Sequence, residues 1–261
     1  MPSQAANENP ARVALVTGAA KRIGKSIALR LAENGWHVAV HYRKSAAKAE
    51  AVAAEIRLRG GKAMTVEADL SREQEVETIV PKVAEHFGAL SLLVNNASVF
   101  EMDKADTATR ASWDRHIETN LRAPLVLSQA FARQYTSESG GNIINLLDQR
   151  VWKLTPYFLS YTVAKTGLWA LTRTLALSYA PRIRVNAIGP GPTLPSPRQS
   201  EEQFTRQSAA MPLGHGATPH EIARAVLFIL SSTSMTGQMI ALDGGEHLGW
   251  QVPGKGYQPR E

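Results

Sequence analysis

RVALVTGAAKRIG, residues 12–24, passes from a β-rich apolar run into a glycine-bearing turn. Apolar residues at Ile27, Leu29, Leu31 and Ala32 then recur with helical spacing until Gly35, and HVAVHY (37–42) reads as a second buried strand. Strand, turn, helix and strand make a βαβ unit. The helix N-terminus of such a unit offers unpaired N–H groups to a phosphate.

The alternation continues outward. AMTVEA (63–68), LSLLVNN (90–96), NIINLL (142–147), RIRVNAI (182–188) and QMIALD (238–243) read as strands. Helical patterns run over 46–59, 72–86, 107–134, 158–180 and 218–231. A looser, proline-bearing region follows Pro190 and is read without helix. This predicts an α/β protein with a Rossmann-like, doubly wound, seven-stranded parallel sheet flanked by helices, in a single domain over 12–247. Residues 1–11 are expected to be a disordered lead, and 248–261 a tail that is either free or packed on a neighbouring subunit.

The 261 residues suffice for a large α/β core, and 44% hydrophobic with 20% charged residues fits a soluble globular chain. Cysteine is absent, which excludes disulfides and thiolate chemistry and is compatible with the cytoplasm. The net charge of +6 is spread along helix patterns without a dense basic block, so nucleic acid is not expected and an anionic small molecule is. No run has the length of a membrane span, and the N-terminus lacks the apolar core of a signal peptide. The histidines show no metal-ligand spacing, so no metal is expected.

Four strand ends carry candidate chemistry. In the first turn Gly18 and Gly24 flank Arg22 and Ile23, with Arg22 where a central glycine is expected; its guanidinium would reach a pyrophosphate or a second anionic or aromatic ligand. The second strand ends in His41-Tyr42-Arg43-Lys44-Ser45 without an acid. An acid there would accept from the ribose 2′-OH of NAD, whereas arginine and serine suit the 2′-phosphate of NADP(H). Asp69, followed by Leu70, would accept from the adenine amino group if Ser71 caps the next helix. Asn96, Ala97 and Ser98 end the fourth strand, and Phe100 offers a flat face to an aromatic ligand.

NLLDQRVWKLTPYFLSYTVAK (145–165) holds Asp148, Tyr161 and Lys165. Tyr161 and Lys165 stand at i and i+4 and share a helix face. An ammonium there is expected to lower the phenol pKa and make the hydroxyl a usable proton donor or acceptor.

Taken together, Thr17-Gly18…Gly24, Asn95-Asn96-Ala97, Asn120, Tyr161-x-x-x-Lys165, Pro190-Gly191 and Asp243-Gly244-Gly245 resemble the short-chain dehydrogenase/reductase family over 12–247. The resemblance implies a nicotinamide cofactor, cytoplasmic location and a homotetramer. Three departures from the family pattern, Asp148 in place of its catalytic serine, Arg22, and Ser98 with Phe100, resemble the pteridine reductase branch. The ending LDGGEHL (242–248) is similar to bacterial dihydromonapterin reductases. That branch implies NADPH as cofactor and a pterin or folate-like substrate.

By this resemblance Tyr161 donates the proton, and Lys165 binds the nicotinamide ribose and tunes Tyr161. Asn120 holds a water through a bend in its helix. Phe100 sandwiches the pterin, Ser98 and Arg22 contact ring and phosphate, Thr193 contacts the carboxamide, and 192–212 is the substrate loop. Asp148 either relays protons through water or orients Tyr161. A carboxylate there would repel the oxyanion of a ketone reduction by about 4 kcal/mol at ~4 Å and an effective dielectric of 20, so Asp148 is awkward for ordinary carbonyl reduction. The rival readings are a carbonyl reductase of 3-oxoacyl or small-ketone type, and a non-catalytic NADP-binding sensor.

Overall fold

The computed structural model describes residues 12–136, 140–196 and 198–249. Seven strands, β1 (Val13–Val16), β2 (His37–Tyr42), β3 (Ala63–Glu67), β4 (Leu92–Asn95), β5 (Gly141–Leu146), β6 (Ile183–Pro190) and β7 (Met239–Leu242), form one sheet in the order β3-β2-β1-β4-β5-β6-β7. Every pairing is parallel. Ala14 and Val16 pack under α1 (Arg22–Glu33), α2 (Ala46–Leu58) and α8 (Pro219–Ser231). Val13 and Leu15 face the opposite side, under α3 (Glu73–Phe87), α5 (Ala123–Gln134) and α6 (Leu159–Tyr179). Helices on both faces leave no solvent side to the central strands, which is why they read as unbroken apolar runs.

The strand order reverses at β1 and β4, so the loops after these neighbours run apart and open a crevice at their C-terminal ends. Thr17 ties the two ends together. Its hydroxyl oxygen accepts from Asn96 N and Ala97 N, both at 2.9 Å, and the Asn96 amide donates to Thr17 O at 2.8 Å. Gly18 holds φ +64° here, and a Cβ on Gly24 would stand 2.4 Å from Gly18 O and 2.5 Å from Asn96 Nδ2. The first turn thus needs one glycine for its dihedral and another for close approach.

Two expected boundaries change. The pattern over 107–134 is not one helix. The Thr109 and Ser112 side chains form a capping box that starts α4 (Arg110–Ile117), and a π-helical turn over Glu118–Arg122 separates it from α5. The region 192–212, expected to be irregular, contains α7 (Glu201–Ala209). Ser200 and Gln203 form its capping box and Glu201 and Glu202 occupy its first turn, a sequence signal that the preceding prolines obscure. The expected lead over 1–11 lies outside the described residues. So does the tail from 250 onward, while Glu246–Leu248 form a short 3₁₀ turn.

Gly24→Ala is expected to lower stability by about 1–3 kcal/mol, the usual range for overpacking, because both opposing groups belong to the tied strand ends. For a chain of this size that is roughly 2–4 °C of thermal midpoint per kcal/mol. An unchanged melting curve would show that the turn relaxes.

Candidate active site

Two adjoining cavities of about 390 and 420 Å³ run along the crevice and share Arg22, Ile23, Asn96 and Ser98. The first is lined by Gly18, Gly24, residues 41–45, Asp69, Leu70 and Ala97. At the end of β2, Arg43 and Lys44 are exposed, and among the described residues neither has a hydrogen bond or ion pair. Ser45 precedes α2 without spending its hydroxyl on a cap. Arg43 is near enough to Asp69 to help lower its pKa, and two exposed cations and a hydroxyl at one strand end are suited to a phosphate monoester.

Other side chains in this cavity are wholly or partly engaged by the protein. His41 accepts from Gly18 N at Nδ1 (3.0 Å), and its Nε2 lies 3.1 Å from Ala68 O. Burial pushes its pKa down to about 4, so the ring is neutral at pH 7. No ring nitrogen remains for a ligand, and His41 acts as a strut between the glycine turn and the end of β3. Asp69, expected to be left free by a capping Ser71, instead accepts from Ser71 N and Ser71 Oγ through one oxygen. Ser71 does not cap α3, which starts two residues later.

The second cavity holds Phe100, Asp148, Tyr161, Lys165, Pro190, Gly191 and Thr193. Tyr161 donates its hydroxyl to Asp148 Oδ2 at 2.8 Å, and Lys165 donates to Leu146 O at 2.7 Å. The ammonium lies 5.8 Å from the Tyr161 ring centroid, as the i, i+4 spacing requires. Asp148 is also held by Arg150, whose guanidinium lies 3.0 Å from the same Oδ2 and whose main-chain N–H donates to Oδ1 at 2.8 Å. Arg150 also stands 5.4 Å from the ring centroids of Phe100 and Phe158. These two rings stack at 4.3 Å, and Phe100 meets Tyr161 edge-on at 4.7 Å. The arrangement is a buried proton donor beside a charge-compensated carboxylate, under an aromatic wall.

Residues 18–247 match a family model described as enoyl-(acyl carrier protein) reductase. The 3-oxoacyl-[acyl-carrier-protein] reductase FabG of Staphylococcus epidermidis is 35% identical over 240 residues, spanning 90% of this chain and 98% of that protein. This chain belongs to the short-chain dehydrogenase/reductase family. It is an oxidoreductase. Among solved structures it is similar to FolM alternative dihydrofolate reductase 1 from Brucella canis, complexed with NADP, at 47% identity over 94% of this chain and 97% of that one, with a TM-score of 0.90. The FolM of Brucella suis, also in complex with NADP, is likewise 47% identical, with a TM-score of 0.89 over 93% of this chain and 97% of that one.

Within this short-chain dehydrogenase/reductase, Tyr161 and Asp148 behave differently from expectation. Tyr161 is not shifted down by Lys165. Burial, and after it the Asp148 carboxylate, push its pKa well above the ordinary value, so it is held as a neutral phenol. Asp148 is not an unpaired charge, so the repulsion of an oxyanion argued from sequence is largely cancelled by Arg150. Asn120 does stand in a helix bend, the π-helical turn, but its side chain is used on Val99, accepting from its N–H and donating to its carbonyl, both at 2.8 Å. Only its main chain is left for the water-holding role implied by resemblance.

Arg22 takes φ +57°, the left-handed region that made glycine the expected residue. Its guanidinium reaches across the crevice to Pro195 O (2.9 Å) and Leu194 O (3.2 Å). Thr193 donates to Gly191 O at 3.0 Å. Arg150 and Phe158 were not identified from sequence. Arg150 follows Asp148 in a turn whose direction the pattern does not set, and Phe158 enters α6 at φ +59°, a conformation no local signal assigns to phenylalanine. Among the described residues no group of three or more His, Cys, Asp or Glu could hold a metal ion, and no helix is long and apolar enough to cross a membrane.

Burial pushes the Lys165 pKa from 10.5 down to about 8. Between these values the unfolded chain holds a proton that the folded protein has released. Stability due to Lys165 therefore rises with pH across that window. The thermal midpoint of the parent relative to Lys165→Met is expected to increase from pH 7.5 to 10, and a constant difference would place the ammonium in water.

Proposed function

We propose that this chain is an NADPH-dependent pteridine reductase acting on a dihydropterin or dihydrofolate-type substrate. The observation that carries the reading is the Tyr161–Asp148 bond, a carboxylate where the family has a serine, beneath the Phe100 wall. The greater identity to FolM alternative dihydrofolate reductase, 47% against 35% for FabG, supports it.

The residues fit the cofactor. Gly18 and Gly24 line the first cavity at the N-terminus of α1, whose free main-chain N–H groups suit a pyrophosphate, and Arg43, Lys44 and Ser45 suit a 2′-phosphate. Bound there, NADPH supplies a hydride. The chain's own task is the proton that the nitrogen of a C=N bond must gain. Tyr161 stores that proton on its hydroxyl, since burial and Asp148 disfavour the phenolate. Asp148 orients the hydroxyl, and Arg150 keeps the carboxylate charge balanced. Among the described residues Lys165 has one acceptor, Leu146 O, and its remaining N–H groups are suited to ribose hydroxyls. A flat heterocycle would stack on the Phe100–Phe158 wall. A homotetramer in the cytoplasm, implied by the family resemblance, completes the proposal.

The second reading, a carbonyl reductase, gains from the FabG relatives and from Arg150, which removes the electrostatic objection to a ketone. Dihydrobiopterin, dihydromonapterin, dihydrofolate and an acetoacetyl thioester assayed in parallel separate the two. Turnover of the thioester alone would replace the leading proposal. Binding of NADPH with no turnover of any of them would favour a sensor.

Tyr161→Phe is expected to lower turnover by about 10²–10⁴-fold, the range for a general acid, while leaving NADPH binding within a few-fold. Normal turnover would take Tyr161 out of the chemistry. NADPH is expected to bind at least about tenfold tighter than NADH, roughly 1.4 kcal/mol. Arg43→Asp should abolish that preference, and equal titration of both cofactors by the parent would remove the 2′-phosphate site.

A further inference from the structure

Behind Tyr161, outside both cavities, lies a second buried polar group that the proposed chemistry does not use. Asp103 is 3% exposed, and Ser160 and His116 are fully buried. One oxygen of Asp103 accepts from Ser160 N at 3.1 Å, and the other accepts from Ser160 Oγ and from Ser112 Oγ. The Asp103 carbonyl accepts from Leu159 N. His116 Nε2 accepts from Glu101 N at 3.1 Å, so the ring proton resides on Nδ1, which faces two acceptors, Ser112 O at 3.0 Å and Ser160 Oγ at 2.7 Å. The Ser160 hydroxyl in turn donates to the Asp103 carboxylate. These are the residue types of a hydrolytic triad wired differently: the serine gives its proton to the carboxylate and is sealed from solvent. It is not a nucleophile.

The placement suits another task. α6 begins at Phe158 without a side-chain cap of its own, and Asp103 supplies the missing acceptors from the loop after β4. That loop also carries Ser98 and Phe100. His116 holds it at Glu101 and sets its ring edge-on to Tyr161 at 6.1 Å. We propose that Asp103, Ser160 and His116 are positioning residues that fix the Tyr161 hydroxyl relative to Asp148 and the Phe100 wall. This rests on Tyr161 being the proton donor, and not on which substrate is reduced. A displacement of ~1 Å in a reacting group costs on the order of 10²-fold in rate, and a network with intact backbone bonds should shift the phenol by less.

The test compares the full-length parent with Ser160→Ala, Ser160→Thr and Asp103→Asn, on whichever pterin, folate or carbonyl substrate the parent turns over. The expected result for Ser160→Ala is a kcat lowered about tenfold, with substrate KM and NADPH Kd within about twofold and most of the loss restored in Ser160→Thr. Amide exchange at 159–161, read without turnover, should quicken in both Ser160→Ala and Asp103→Asn. If Ser160→Ala does not fold, the isosteric Asp103→Asn carries the same split between kcat and binding. Unchanged kcat and exchange in both variants would overturn the proposal. So would a loss that Thr does not relieve, or one matched by equal weakening of NADPH binding. A parent that reduces only ketones removes the pteridine reading and leaves this comparison standing.

Discussion

The ends of β1 and β4 are neighbours whose following loops must run in opposite directions, and the whole site depends on holding them together at that point. Thr17 and Asn96 do so with side-chain bonds to each other's backbone, and Gly24 lets the first turn of α1 approach within van der Waals distance. A looser tie would widen the crevice and separate the cradle at Gly18 from the reactive residues at the end of β5. The deeper layer repeats the device. Asn95 donates to Asn145 and Asn145 to Thr172, a buried polar ladder from β4 through β5 to α6 that fixes the helix bearing Tyr161 and Lys165.

On that frame charge is managed locally. Asp148, Tyr161 and Lys165 are all buried, and an isolated ionised group there would be costly. Arg150 compensates Asp148 in part, and the carboxylate acts on Tyr161 both through its charge and through the 2.8 Å hydrogen bond. Lys165 meets the same constraint by a lowered pKa and a carbonyl partner. Asp148 accepts the phenol proton's hydrogen bond and raises the phenol pKa, and Arg150 balances much of its charge.

The loop after β6 is tied in a similar way. Arg22 from the turn after β1 and Arg198 from the loop donate to main-chain carbonyls on opposite sides of the cleft, at Leu194, Pro195 and Phe100. The helix α7 brings Phe204 and Gln207 to the cavity wall, so a stretch with an irregular, proline-bearing start still presents ordered side chains.

The sequence by itself determined the parallel sheet, its βαβ order and the i, i+4 pairing of Tyr161 with Lys165. Apolar period, glycine position and helical spacing are local properties of the chain, and β2 falls on the residues read as a strand. It also determined which residue types stand at the strand ends, and so an acid-free β2 terminus suited to a phosphate. Tertiary structure alone decided that Arg150 neutralises Asp148, that His41 is a strut, that Phe158 stacks on Phe100, and that the Tyr161 pKa rises. Each of these depends on burial and on contacts between segments far apart in sequence or on turns of unpredictable direction, and desolvation and pair distances are not encoded in any local pattern.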